Sequence, residues 1–390
     1  MKDDASYRKV YETLKKEILD GKYSAARSFP SSTALARRFG ITRFTVRQAL
    51  DILAKEGLVR SLRGCGTFVT KMGANRQIGL IVPGVAYSEF FQPIVTALSG
   101  VCTEKGYGLS IGSAFSEDGK ERARQAMALV RDFADKRISG VIFQPIESIP
   151  NAPRVNKQML SVFKSAGIPV VLLDSDIVPP PDRSEYDIIG INNFDAGRRV
   201  AVHMIGAGAK RIRFVSMPQP CYSIRLRFSG VQSTLASHGV LLDKMVELDA
   251  ADVGEVRRFL RRERPDAVIC CCDTFAAYFK GTLEALGRRV PDDILLAGFD
   301  DVQHAKIVTP ALTTVRQPCD RIAQAAFAAL IERMQDSDLP AREILLTAPL
   351  VVRDSTRRTK CVGKTGRCSP DLKREFNRKG ADGHGKNSTW

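Results

Sequence analysis

The sequence predicts a winged helix-turn-helix head of about 70 residues, a larger α/β body of two lobes, and a disordered basic C-terminal tail. Three observations carry that prediction. Lys and Arg number 59 against 43 Asp and Glu, a net charge of +16, and the excess lies at the ends: residues 1–76 are net +9, residues 357–390 net +7, and residues 77–356 neutral. Helical apolar spacing in the first 57 residues gives way to two short β-prone runs. From Gln77 onward apolar strands alternate with helical stretches, the pattern of parallel sheets covered by helices on both faces.

The head builds in order. Val10, Leu14 and Ile18 recur at helical spacing and Asp20-Gly21 ends that first helix. Ser31 or Ser32 caps a second, short helix buried through Leu35 and Phe39 and stopped by Gly40. Thr42 caps a third, whose stripe of Val46, Ala49, Leu50 and Leu53 runs to Gly57. That stripe turns Arg43, Phe44, Arg47 and Gln48 to the opposite face. Two arginines one turn apart suit guanine edges or phosphates, Gln48 an adenine, and Phe44 a thymine methyl. A solvated charged face is the plainer alternative. Residues 58–61 and 67–70 read as a hairpin with the basic, Gly-rich tip Arg63-Gly64-Cys65-Gly66, and residues 71–76 as a linker. A basic head on a neutral body points to a polyanion met by the head.

In the body, residues 77–356, the apolar runs IGLIVP, GVIFQPI, PVVLLDSD, IRFVSMP, AVICCCD and ILLAGFDD read as strands. About 280 residues exceed one comfortable core, so two lobes are expected. Asp174 with Asp176, Asp273, and Asp300 with Asp301 follow directly on apolar runs and should face a shared cleft at the strand ends. Tyr87, Phe90, Phe91 and Tyr222 offer aromatic faces for a ligand's C–H surface. Asp273 suits a helix cap as well as a ligand contact.

Several classes are set aside. Nine cysteines without a CxxC pair read as reduced thiols of a cytoplasmic protein, and no metal-ligand spacing appears. No apolar leader and no 18-residue apolar stretch argue for secretion or a membrane. Gly206-Ala207-Gly208 lacks the third glycine of a dinucleotide loop, and Gly363-Lys364-Thr365 lacks the first glycine of a phosphate loop. His203, His238, His304 and His384 are scattered without nucleophile partners, so neither a catalytic constellation nor a cofactor is expected.

The stretch FPSSTALARRFGITRFTVRQALDILAKEGLVRSLRGCGTFV resembles the winged-helix head of GntR-family transcription regulators. The resemblance implies a recognition helix carrying Thr42, Arg43, Thr45 and Arg47 in the major groove, with Gly66 at the wing tip approaching the minor groove. Thr33 stands where the family carries a phosphate-contacting arginine. The body is similar to the effector domain of the lactose/galactose-repressor family, itself similar to periplasmic sugar-binding proteins. GLIVP, ISGVIFQP, IPVVLLDSD, YSIRLRFSGVQSTLASHG, DAVICCCD, ILLAGFDD and LTTVRQP occur in family order. Head and body together resemble the arabinose-repressor subgroup of GntR regulators.

That resemblance implies a homodimeric repressor on a palindromic DNA operator, controlled by a small sugar in the interlobe cleft. Its effector contacts fall on Arg225, in the S-x-R-L-R run, on Asp174, Asp273 and Asp300, and on Gln317. An interlobe salt bridge is the alternative for Arg225. Cys272 replaces the asparagine common before the strand-end aspartate, so the pocket should lose one sugar contact or accept a different ligand. A nucleobase or nucleoside effector is the nearest rival, an enzyme or a transport solute-binding protein the more distant ones.

Overall fold

The computed structural model describes residues 2–19, 22–23, 29–62, 66–69, 76–84, 89–116, 118–178 and 182–358. Of the expected linker at 71–76 all but Arg76, and of the expected basic tail at 357–390 all but Arg357 and Arg358, lie outside these residues.

Local sequence signals set the head. Helix α1 (Lys2–Leu19) buries Val10, Leu14 and Ile18. Helix α2 (Ser32–Phe39) begins where Ser31 Oγ accepts the Ala34 N–H at 3.1 Å, and it ends at Gly40, whose φ of +67° is a left-handed turn that a side chain would strain. Helix α3 (Arg43–Lys55) begins where Thr42 Oγ1 accepts the Thr45 N–H at 3.2 Å. Strands β1 (Val59–Leu62) and β2 (Gly66–Val69) pair antiparallel as the wing, with Leu62 opposite Gly66. Leu35, Val46, Leu53 and Leu58 close a core separate from that of the body.

The body has two parallel sheets. Strands β3 (Gln77–Pro83), β4 (Gly108–Ala114), β5 (Gly140–Phe143), β6 (Val170–Leu173), β7 (Asp187–Ile191) and β13 (Glu343–Leu346) form lobe 1 in the order β13-β7-β6-β5-β3-β4. Helices α4 (Phe91–Glu104), α5 (Gly119–Asp135), α6 (Ala152–Ser165) and α12 (Cys319–Gln335) cover it. Lobe 2 is the sheet β11-β10-β8-β9, made of β8 (Ile212–Ser216), β9 (Val246–Glu247), β10 (Ala267–Cys270) and β11 (Leu295–Ala297). Its helices are α7 (Asn193–Gly206), α8 (Tyr222–Ser237), α9 (Val253–Glu263), α10 (Asp273–Ala285) and the short α11 (Gln303–Ile307). The chain crosses between lobes after β7, after β12 (Thr314–Val315) and after β13, and β12 pairs antiparallel with β14 (Leu350–Val351) at the crossing. Because β5, β6 and β10 are buried along their whole length, they read as continuous apolar runs without alternation.

Helices α7 and α8 touch backbone to backbone. A Cβ on Gly197 would stand 2.0 Å from Arg227 O, and one on Gly230 2.0 Å from Phe194 O. Glycine at both positions is a steric requirement, and it brings the first turn of α7 beside the middle of α8. Two aspartates expected at the cleft serve the frame instead. Asp176 holds Arg183 at 2.7 Å and accepts from Ile177 and Ser184 N–H groups, closing its own loop. Asp301 is 8% exposed and held by Arg316 at 2.6 Å and by Arg353.

Candidate functional site

In the head, α3 presents Arg43, Phe44, Arg47 and Gln48 to solvent, and the Phe44 ring is 70% exposed on an otherwise polar face. Thr42 is exposed at the cap. Thr45, expected beside it in the groove, is 3% exposed, and its hydroxyl lies 2.9 Å from Thr42 Oγ1, so it braces the helix start. Gly66 is exposed where β2 begins, and Arg63 lies outside the described residues. The face is a flat, cationic helix edge flanked by a hairpin, a shape that enters a major groove.

In the body, strand ends converge as expected, around an arginine the sequence reading missed. Arg227, 4% exposed, donates from Nε to Asn193 Oδ1 at 2.9 Å, from Nη1 to Cys271 O at 2.9 Å, and from Nη2 to Asp300 Oδ1 at 2.8 Å. Its guanidinium also lies over the Phe299 ring, 4.9 Å from the centroid. Burial works against that charge, and Asp300 and Asp174 more than offset it, so the guanidinium stays protonated. Gln317, 6% exposed, donates from Nε2 to the same Asp300 oxygen at 3.0 Å. The carboxylate fixes the amide's orientation and leaves Gln317 Oε1 buried without a partner among the described residues. Asp174, at the end of β6, bonds Ser223 and Asn193, and burial raises its carboxyl above the usual range despite the nearby Arg227.

Arg225 is not part of this cluster. It is exposed, and its Nε donates to Pro220 O at 3.2 Å. Two residues along a helix span about 200°, so only one arginine of the run can face inward. Asp273 is 0% exposed, and its Oδ2 accepts from Thr314 Oγ1 at 2.9 Å and Val302 N–H at 3.3 Å, tying the start of α10 to the crossover. Burial first and Asp300 second push that carboxyl well up. Among the aromatics, Phe91 is 8% exposed in the core, while Phe90, its ring 4.7 Å away, and Tyr222 are half-buried. Tyr87 lies outside the described residues.

Two clasps, also unforeseen, join the lobes across the cleft. Glu147 of lobe 1 accepts the Tyr222 N–H at 2.8 Å, and Ser148 Oγ donates to Gln219 O at 3.0 Å. Burial raises the Glu147 carboxyl to about 7, with Asp174 adding to the shift. On the other side His304 Nδ1 meets Glu89 Oε2 at 2.7 Å. A cavity of about 1060 Å³ lies elsewhere, between the head (Lys55, Arg60) and lobe 1 (Lys164, Tyr186), and no residue of the Arg227 cluster lines it.

Comparison with known proteins agrees with this division. Residues 6–69 match the model of bacterial regulatory proteins of the gntR family, and residues 201–356 match a periplasmic binding protein-like domain. The arabinose metabolism transcriptional repressor of Geobacillus stearothermophilus is 28% identical over 366 residues, covering 89% of this chain and 97% of that protein. The HTH-type transcriptional repressor PurR of Vibrio atlanticus is 28% identical over 344 residues, 84% of this chain and 96% of that one. In fold the chain is similar to the transcriptional regulator CelR in its cellobiose complex, with a TM-score of 0.61 at 21% identity, over 84% of this chain and all of that one. Among the described residues no helix is long and apolar enough to cross a membrane. The chain therefore joins a DNA-binding head of the gntR family to a periplasmic binding protein-like body, and it is a transcription regulator of that build.

Proposed function

We propose that this regulator is a cytoplasmic homodimeric repressor that binds a palindromic operator, and that a small carbohydrate in the interlobe cleft sets its operator affinity. The observation that carries the sugar reading is the cluster of Arg227, Asp300, Gln317 and Asp174, largely buried yet left with an acceptor on Gln317 that is unpaired among the described residues. Carboxylates accept from hydroxyls, a planar guanidinium donates to adjacent oxygens, and the half-buried rings of Phe90 and Tyr222 suit a sugar's C–H face. An arabinose repressor and a cellobiose-bound regulator among the similar proteins support it. For DNA the contacts are Arg43, Phe44, Arg47 and Gln48 from α3, Thr42 at its cap, and Gly66 on the wing.

How the head is attached supports the homodimer. It precedes β3 and so joins lobe 1 alone. Closing lobe 2 on lobe 1 leaves a head's position on its own lobe 1 unchanged; only a second copy, gripped through both lobes, converts closure into a change of head spacing. The test is a thermal-shift screen of pentoses, hexoses, polyols and purines, followed by operator anisotropy with each hit. A ligand at 100 times its Kd stabilises by about 2.7 kcal/mol. Stabilisation by purines and by no sugar rejects the sugar reading, and a monomer on a single half-site rejects the homodimer.

A further inference from the structure

Three cysteines open helices that start at the polar corner of the cleft, Cys272 directly after Cys271, whose carbonyl accepts from Arg227 Nη1, and Cys319 two residues after Gln317. Cys221 occupies the cap position of α8, Cys272 that of α10, and Cys319 opens α12. All three are free and half-buried. Cys272 and Cys319 stand close enough to Asp300 to feel its charge, and Cys221 does so with Glu147 and Asp174. Burial pushes the Cys221 thiol up to about 12 and Cys319 to about 11, while the Cys271 thiol and burial push Cys272 well up. The three thiols are thus neutral, and among the described residues no three such donors are grouped to hold a metal ion. Thiolate chemistry and metal capture are both poor uses for them.

What they supply is a soft, weakly hydrogen-bonding wall. A thiol is a weak donor and a weak acceptor, so a ligand hydroxyl buried against it gives up water and gains little. A C–H or methyl group in the same place gives up nothing. Resting on the sugar reading above, we propose that the effector is a deoxy sugar, with hydroxyls on Arg227, Asp300 and Gln317 and a deoxygenated or methyl-bearing edge against Cys272. Cys272 is then a specificity-determining residue.

The test is calorimetry on the full chain with matched pairs: L-rhamnose against L-mannose, L-fucose against L-galactose, and 2-deoxy-D-ribose against D-ribose. The deoxy member of at least one pair is expected to bind roughly 10- to 100-fold more tightly, the range over which an apolar surface rejects an added hydroxyl. Cys272→Asn, which supplies a donor and an acceptor, should bring that ratio to one or below, and Cys272→Ser should reduce it. The serine variant differs by one atom and carries the test should the asparagine variant melt early. Equal or tighter binding of the hydroxylated member in every pair, or a ratio unmoved by both substitutions, overturns this inference and leaves the sugar reading standing. Absence of heat with every sugar overturns both.

Discussion

Removing the Arg227 side chain tests the cleft most directly, because the structure sets the size of the effect. Arg227→Ala deletes three hydrogen bonds of 2.8–2.9 Å and the stack on Phe299, and it strands the Asp300 carboxylate beside Asp174 in a buried site. Breaking a buried ion pair by removing one partner costs about 3–5 kcal/mol, mostly from the lone charge left behind. Against a total stability on the order of 5–15 kcal/mol, that is a large fraction. Denaturant unfolding should show it as a lower midpoint with the slope retained. Adding Asp300→Asn in the same chain should recover part of the loss, since the stranded charge is then gone. Arg227→Lys keeps the charge but not the fork, so it should fold yet need far more sugar to change operator affinity. A loss below about 1 kcal/mol for Arg227→Ala, or a lysine variant responding at the parental sugar concentration, would refute the reasoning. Arg225→Ala is the control, because its exposed side chain makes, among the described residues, a single hydrogen bond to a backbone carbonyl and its loss should leave the unfolding midpoint nearly in place.

Gly230→Ala drives a Cβ to 2.0 Å from Phe194 O, so α7 and α8 must part at a loss of about 3 kcal/mol or more in unfolding experiments, while Gly281→Ala, exposed in α10 with nothing within 4 Å, should stabilise by about 1 kcal/mol. Arg43→Ala should weaken operator binding by roughly 1–3 kcal/mol in anisotropy if it reads a base, and weaken operator and random DNA alike if it holds phosphate; no change on either removes α3 from the groove. Glu147 gives a pH dependence: its carboxyl rises from 4.5 unfolded to about 7 folded, so the folded state holds the proton more tightly. Its contribution is fully present below pH 4.5 and is lost as pH rises through about 7, and Glu147→Gln should flatten that part of the melting curve series between pH 5 and 8. Identical pH profiles for parent and variant would count against the burial of that carboxyl.

The parts of the molecule that depend on neighbours in sequence were legible, and those that depend on distant partners were not. Ser31, Gly40 and Thr42 act within one helical turn, so their caps and turn follow from residue type and spacing. Thr45 misled because the same hydroxyl that suits a groove also suits a bond to Thr42, and burial on the inner side of α3 decides between them. Asp176, Asp273 and Asp301 follow apolar runs just as Asp174 and Asp300 do. What separates them is Arg183 for the first, seven residues on in the same loop, Thr314 for the second, and Arg316 with Arg353 for the third; the last two sets are contacts that only the crossovers bring about. The Glu89–His304 clasp spans 215 residues and left no sequence signal at all.

Arg227 is a different case, since its place was recoverable. Ser223, Ile224, Arg227, Gly230, Val231, Thr234 and Leu235 are the buried residues of α8, and they recur at helical spacing. Arg227 lies on that stripe, between two apolar residues and one step from the glycine on which α7 rests; Arg225 lies off it. An arginine on the buried stripe of a helix needs partners within the interior, and strand-end aspartates are the available ones. The periodicity that located the core of α3 would have chosen between the two arginines of α8. The motif alone names the run, and the helical period identifies which of its guanidiniums the aspartates surround.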